Sequence, residues 1–461
     1  MPIIRDRTLL PDWNDIPPEM IRNCIQEHLK SVPRLDKLES YYLGKHPILA
    51  RNMDAKGLPN NRLVANHAKY ITDIAVGYVM GDPVKYEGEG IDDILEVFKR
   101  GDVVSHDAEL AKDLSIFGVG RELYYMTSDD NPYPRPALID PRQIFLVVDD
   151  TIEHLPLFGC HFYEKRDISN SVVGYYVNVY TEREVIHYLV KDLGSQTYEE
   201  LGREPHYFGG VPIVEFWNNE EQQGDFEQQI SLIDAYNVLM SDRVNDKEQL
   251  VDAILKLKGV SLGDDEEEAG RTIRLLKEYK VLELPGDKDA DAAWLVKNLS
   301  ESDVEVLRNA IRDDIHQFAM VPNLTDENFA ANASGVAMKY KLLGLEQLAI
   351  IKERYFKKGL RKRLELFANI LRVKGKAVDV SDVTITMTRN LPANDMEAAQ
   401  MIATLRDMVS NQTLIGQLSF VDDPATENQI VEEEKERSAA RMAREFGMPM
   451  GDEGDVNAQE Q

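Results

Sequence analysis

The sequence predicts an α+β chain, mainly helical, with an antiparallel sheet set into a helical frame. Three observations carry this. From about Arg121 to Trp217, segments rich in β-branched and aromatic residues are separated by turn sequences. Before and after that region, apolar residues recur at the helical spacing of three and four. Between Ser300 and Lys374, a helical pattern, a short polar loop and a second, unusually long helical pattern follow one another. Over Gly335 to Lys374 the second amounts to roughly 60 Å of helix, several times an average one. Such a helix crosses a large body or lines an assembly.

Residues 1–112 read as mainly helical. Pro17-Pro18-Glu19 opens a helix, since proline suits a first turn. Asn66 to Met80 reads as the next, ended by Gly81-Asp82-Pro83, and Asp92 to Phe98 as another. Gly118-Val119-Gly120 lacks the rest of a dinucleotide fingerprint and reads as a turn before a strand. The strands are RELYYMT from Arg121, QIFLVV from Gln143, VVGYYVNVYT from Val172 and EVIHYLV from Glu184, with one more short strand ending at Trp217. Asp225 to Leu257 returns to helix. Ile230, Ile233, Asn237, Met240, Val244, Lys247, Val251 and Ile254 fall near one narrow edge of it. Gly259 to Leu299 forms a small unit between two helices: an acidic loop (Asp264, Asp265, Glu266, Glu267, Glu268), a helical RTIRLLKEY, a strand-like KVLEL and an apolar AWLV. The acidic run suits a cation or a basic partner, and a solvated loop is the simpler reading.

Val304, Leu307, Ile311, Ile315 and Phe318 form one apolar stripe. Pro322 forbids a simple continuation. The loop Asn323 to Ser334 is small and polar around Phe329, held between two rods. In the long helix, Leu342 to Ile351 is apolar nearly all round, which predicts burial on several sides. The helix then turns basic, with Lys352, Arg354, Lys357, Lys358, Arg361, Lys362 and Arg363. Either this half meets an acidic surface or nucleic acid, or it is a solvated face with Leu360, Leu364, Phe367 and Leu371 turned inward. Gly344 and Gly359, each costing about 1 kcal/mol inside a helix, mark a bend or a close crossing. Beyond Lys374, VTITMT alternates as a strand, Asn390 to Ser410 and Thr426 to Arg444 read as helices, and the tail from Gly451 reads as acidic and flexible.

The 461 residues suit about two to four domains or one elongated subunit. Cys24 and Cys160 are too few for a disulfide framework or a cysteine zinc site, and read as buried apolar groups in a reducing compartment. No signal sequence opens the chain and no uncharged apolar run is long enough to span a bilayer, so a soluble protein made in the cytosol is expected. The net charge of −28 argues against gripping nucleic acid over the whole surface. Its simplest reading is solubility and mutual repulsion. There is no Walker P-loop, H-E-x-x-H, EF-hand loop or G-x-S-x-G elbow, and nothing in the sequence asks for a cofactor. Two other function classes stay in play. One is a metal-dependent phosphodiesterase using carboxylates with His154 or His161, although unclustered histidines are more often ordinary sheet residues. The other is a helical scaffold whose Lys352 to Arg363 patch holds acidic partners.

Strings spread over most of the chain resemble a known family. They are NNRLVANHAKYITDIAVGY (Asn60 to Tyr78), LIDPR (Leu138 to Arg142), VYT (Val179 to Thr181), VPIVEFWNNEEQQGDFE (Val211 to Glu227), SLIDAYN (Ser231 to Asn237), NLTDENFAANASGVAMKYKLLGLE (Asn323 to Glu346) and KERYFKKGLRKRLEL (Lys352 to Leu366). Their order and coverage, from about Asn60 to Leu371, are similar to portal proteins of tailed bacteriophages, in particular long-tailed phages of Gram-positive bacteria. The resemblance implies a subunit that is not an enzyme and that joins copies of itself in a ring, usually of about twelve, at one capsid vertex. Double-stranded DNA would pass along the axis during packaging, retention and ejection. The implied partners are the terminase large-subunit ATPase, the head-completion or adaptor protein, and the major capsid and scaffolding proteins, with no membrane, metal or cofactor. The implied place is the virion, after synthesis in the host cytoplasm.

On this chain the resemblance implies a wing over 1–224, stem helices over 225–258 and 300–321, and a clip over 259–299. It implies a tunnel loop over 322–334 facing the DNA channel, with Asn323, Leu324, Thr325, Asp326, Glu327, Asn328, Phe329 and Asn332. A long kinked helix over 335–374, a crown over 375–444 and a flexible acidic tail over 445–461 complete the implied layout. A small, polar, acid-containing loop gives sliding DNA weak, reversible contacts, where a collar of arginines would hold phosphates.

Overall fold

The computed structural model describes residues 2–53, 59–250, 254–258, 265–279, 291–295, 301–324, 338, 340–389, 395–406, 408–416, 418, 421 and 424–445. In chain order the elements are β1 (Ile3–Arg5), α1 (Pro18–Leu29), α2 (Val32–Tyr42), α3 (His67–Met80), β2 (Lys85–Glu87), α4 (Asp92–Arg100), α5 (Val103–Phe117), β3 (Val119–Met126), β4 (Pro134–Ile139), β5 (Ile144–Asp149), β6 (Pro156–Arg166), β7 (Val172–Tyr180), β8 (Glu184–Val190), β9 (Glu199–Pro205), β10 (Ile213–Trp217), α6 (Ile230–Leu250), β11 (Ile254–Lys258), α7 (Glu266–Tyr279), β12 (Asp291–Leu295), α8 (Glu301–Phe318), α9 (Leu343–Val373) and β13 (Thr384–Thr386). Close to half of the described residues are helical, so the chain is a more even mixture than the sequence pattern suggested. These elements lie in one compact unit, Met1–Asn390, and the second unit, Leu391–Gln461, holds helices Asp395–Leu405, Asn411–Ile415 and Pro424–Glu445.

The β region forms two sheets rather than one. The six-stranded sheet has the order β1-β5-β6-β7-β8-β9, and the three-stranded sheet the order β10-β3-β4. β1 runs parallel to β5, so the larger sheet is not purely antiparallel; three residues are too short a run to show a period in the sequence. β5 is buried at every position, which is why it reads as a continuous apolar run. β9 is exposed at every position, and its Glu, Glu, Arg and Glu side chains blunt a free edge. α1 lays Ile21, Cys24 and Ile25 on the larger sheet against Phe158, Cys160, Val177 and Val179. Burial pushes the Cys24 thiol up to about 11 and the Cys160 thiol well above its usual range.

A second core belongs to the helices. Ile71 and Ala75 of α3, Leu110 and Leu114 of α5, and Leu360, Leu364 and Phe367 of α9 meet in one apolar cluster. α5 ends at Gly118, whose φ of +80° favours glycine; a Cβ there would also sit 2.1 Å from the Gln222 carbonyl oxygen. Gly118 is thus the turn from α5, and Val119 and Gly120 already open β3.

Four boundaries differ from the sequence expectation. The helix expected over Asp225 to Leu257 is helical over Ile230–Leu250; Ile254–Lys258 is instead a strand, paired antiparallel with Asp291–Leu295. The long helix expected over 335–374 is α9, 31 residues or about 46 Å. Before it, Met338, Tyr340 and Lys341 are helical and Leu342 is a turn. β13, expected in the crown, pairs antiparallel with β2 and belongs to the first unit. In the second unit, the helix expected over Asn390 to Ser410 covers Asp395–Leu405, and Ser410 instead caps the short helix Asn411–Ile415.

Candidate functional site

The basic half of α9 is not one surface. Lys352 and Arg363 point inward. The Lys352 ammonium pairs with the Asp225 carboxylate, both side chains buried. The same carboxylate accepts from Ser115 Oγ at 2.5 Å and from Asn218 Nδ2 at 2.7 Å. Arg363 is fully buried. Its guanidinium meets Asp107 at 2.7 Å and donates through Nε to Glu122 at 3.1 Å. Glu122 also accepts from Tyr124 Oη and is 2.8 Å from His106 Nε2. Burial alone would raise the Glu122 carboxyl, but Arg363 and His106 hold it down to about 2. Burial raises the Asp107 carboxyl against the same guanidinium. These two cations therefore bolt α9 to α5, β3 and the segment before α6. The reading of Lys352 to Arg363 as one patch for acidic partners is corrected: of its residues only Arg354, Lys358, Arg361 and Lys362 are exposed, and half-buried Lys357 pairs with Glu353. Leu360, Leu364, Phe367 and Leu371 are buried, as the simpler reading expected.

The glycines of α9 have a packing reason. The helix is continuous through Gly359, where a Cβ would lie 2.3 Å from the Phe216 ring of β10. Gly359 thus marks a close approach to a strand rather than a bend. Gly344 sits in the first turn, beside Met320. Burial on several sides over Leu342 to Ile351 holds only in part: Leu342 and Leu345 are buried, but Leu343 and Ile351 are exposed. The α8 stripe behaves likewise, with Ile315 buried and Leu307 and Phe318 exposed.

The segment from Ala319 to Leu324 is held among α3, α6 and α8. α8 closes at Met320, whose φ of +56° is left-handed. The chain then passes over Tyr70 of α3, whose hydroxyl donates to the Pro322 carbonyl at 3.2 Å and accepts from the Leu324 N–H at 2.9 Å. His316 Nδ1 lies 3.1 Å from the Val321 carbonyl, to which it donates. The His316 ring meets His67 and Tyr70 edge-on at 5.4 and 5.3 Å, and His67 meets Tyr236 of α6 at 4.9 Å. Asn323 lines a small pocket with His67, Tyr70, Arg312 and His316. Leu324 is exposed. Thr325, Asp326, Glu327, Asn328, Phe329 and Asn332 lie outside the described residues.

α3 is itself fixed by a polar ladder that the apolar count of α6 missed. Asn237, Ser241 and Asn245 are buried, one every helical turn. They accept from the backbone N–H of Ala65 at 2.8 Å, Leu63 at 3.0 Å and Asn61 at 2.7 Å. Two extended residues and four helical ones each advance about 6 Å, so the two periods match. The signal was legible as polar residues spaced by four opposite N-N-R-L-V-A-N. Asn66 then caps α3, its Oδ1 accepting from the Lys69 N–H at 3.0 Å.

Burial lowers the His67 imidazole to about 4, reinforced by His316 and Arg312, and lowers His316 as well. At neutral pH both rings are uncharged. The unfolded chain takes up the His67 proton near pH 6.5, the folded chain only near 4, so this group's contribution to stability rises with pH through that window and is lost as pH falls below about 6.5. Thermal melts across pH 4 to 7 should show this contribution as a steeper slope in the wild type than in His67→Phe, with the other buried histidines keeping the rest.

The acidic run after Gly263 also differs from the expectation. Glu266, Glu267 and Glu268 form the first turn of α7 rather than a loop, where carboxylates favour the helix dipole. Asp265 Oδ1 accepts from the Glu268 N–H at 2.8 Å. Asp264 and the KVLEL segment lie outside the described residues; AWLV overlaps β12. His154 and His161 do not form a metal pair. His154 sits in the β5–β6 turn against the Asp149 carbonyl, and His161 lies five residues into β6, about 17 Å along the strand from Pro156. Among the described residues no group of three or more His, Cys, Asp or Glu is placed to hold a metal ion, and no helix is long and apolar enough to cross a membrane.

The chain is 25% identical over 456 residues to the portal protein of Clostridium phage phiCD119, covering 93% of this chain and 98% of that one. It is 26% identical over 449 residues to the portal protein of Bacillus phage SPP1, covering 91% and 87%. Among solved structures it is similar to a chain in the neck of a native gene transfer agent particle computed with C12 symmetry (TM-score 0.44, 12% identity, 77% of this chain and 88% of that one). It is also similar to a chain in a native gene transfer agent virion (TM-score 0.39, 14% identity, 75% and 86%). The family model for the phage portal protein, SPP1 Gp6-like, matches residues 21–441, and the chain belongs to that family as a portal protein of a phage virion.

Proposed function

We propose that copies of this chain close into a ring of about twelve at one capsid vertex and act as the conduit for double-stranded DNA in packaging, retention and ejection. The family match over residues 21–441 carries this reading. The subunit is a passive channel and not an enzyme; the driving energy comes from a terminase ATPase docked on it. α6 and α8 are the stem, and the β11–α7–β12 excursion between them is the clip that meets first the motor and then the head-completion adaptor. Major capsid and scaffolding proteins surround the ring, which assembles in the host cytoplasm. The two phage relatives, with Clostridium and Bacillus in their names, support a long-tailed phage of a Gram-positive host.

The loop after Leu324 is the part that touches DNA. Tyr70 and His316 fix the residues that lead into it, Val321 to Leu324, to rigid helices. Leu307, Phe318, Leu343 and Ile351, exposed in the single chain, are covered by neighbouring copies. Deleting Asn323 to Ser334 should spare ring assembly and impair DNA packaging or retention, measured as encapsidated DNA in assembled particles. Rings that fail to form without the loop would assign it to subunit contact instead.

A further inference from the structure

We propose that the exposed basic face of α9 docks on an acid-lined groove of a second copy, making the contact between neighbours head-to-tail. This rests on the ring reading and names the surfaces that join it.

Arg354, Lys358, Arg361 and Lys362 are exposed and follow one another at steps of four, three and one, so they share one face of α9, with a single carboxylate, exposed Glu365, beside them. It lies opposite the buried edge of Lys352, Phe356, Gly359 and Arg363. Among the described residues, Arg354, Arg361 and Lys362 have no hydrogen-bond or ion-pair partner, and Lys358 rests 4.6 Å over the Tyr355 ring. In a chain with 81 acidic residues against 53 basic ones, cations left unpaired side by side call for a partner. The same surplus argues that the partner is acidic protein, because a net charge of −28 repels nucleic acid as a whole.

The complement is on the same chain. An open groove of about 1060 Å³ lies between β2 and residues 377–384, lined by Glu87, Glu89, Asp379 and Asp382. Its one arginine, Arg372, donates through Nε to the Val378 carbonyl, and Asp379 is taken up by Ser381. Glu87, Glu89 and Asp382 are exposed and without ion pairs among the described residues. Lys362 and the groove residue Arg372 are ten residues apart on α9, about 15 Å along one rigid helix. A chain therefore cannot fold its basic face into its own groove. A face and a distinct complement on one subunit make a heterologous contact, the kind that closes into rings. The pairing also places opposite charges where copies carrying −28 each would otherwise repel.

The test is a charge swap in the full-length chain, followed by mass photometry at physiological and high salt. Arg354→Glu with Arg361→Glu and Lys362→Glu should raise the concentration needed for assembly at least about tenfold at physiological salt. Glu87→Lys with Glu89→Lys and Asp382→Lys should do the same, and the six changes together should restore assembly. Circular dichroism of each triple variant, matching the wild type, shows that a loss of assembly is not a loss of fold. Wild-type rings with either triple variant assembling unchanged, or with no restoration in the combined variant, overturn the docking proposal and leave the portal reading intact. Basic-face variants that keep their rings but lose encapsidated DNA overturn it in favour of a nucleic-acid contact. A wild-type chain that forms no ring overturns the portal reading itself.

Discussion

Replacing Arg363 with methionine should lower the stability of the first unit by about 3–5 kcal/mol, the cost of stranding a buried carboxylate without its cation. Arg363 has no exposure and neither has the Glu122 side chain. The guanidinium holds Glu122 ionised against burial and also meets Asp107. Methionine fills similar volume, so most of the loss comes from the unpaired charge and little from a cavity. Combining Arg363→Met with Glu122→Gln and Asp107→Asn should recover much of the loss, because a buried ionic group replaced as a whole is often close to neutral. Urea unfolding followed by circular dichroism reads both effects. Wild-type stability in Arg363→Met would mean that the residue faces outward, as a surface basic patch requires.

Gly359→Ala should also destabilise, by about 1–2 kcal/mol net. In an ordinary helix interior alanine gains about 1 kcal/mol over glycine. Here the new methyl would lie 2.3 Å from two atoms of the Phe216 ring. Phe216 is itself fully buried and packs on Phe356, with ring centroids 5.4 Å apart, so it has little room to retreat. Overpacking of this kind costs about 1–3 kcal/mol or more, which exceeds the helical gain. Phe216→Leu in the alanine background should return part of the loss. A gain in stability from Gly359→Ala alone would contradict the close-approach account and favour a glycine kept for bending.

The sequence was most legible where one face of an element meets water. EVIHYLV alternates because β8 has one side on the core, and His67–Met80 shows its period and its Asn66 cap. Long-range partners were not legible. Lys352 and Arg363 look like their solvated neighbours, because their acids, Asp225, Asp107 and Glu122, lie 127 to 256 positions away. Nor could β1 be seen, since its partner β5 lies more than a hundred residues on. The end of α6 was missed because I-L-K-L-K fits a helix or a strand until its pairing with β12 is known. The loop was legible as a breaker between two rods, but not Tyr70, which fixes its entrance from α3. Leu307 and Phe318 count as core by spacing and are exposed in one chain. A helical apolar period predicts burial without saying in which molecule, and the proposed ring would supply the second one.

Negative-stain images of the purified full-length protein test the central claim most directly. The account predicts closed rings of about a dozen copies around an open axis. Particles that stay single chains at high concentration in every condition would contradict it.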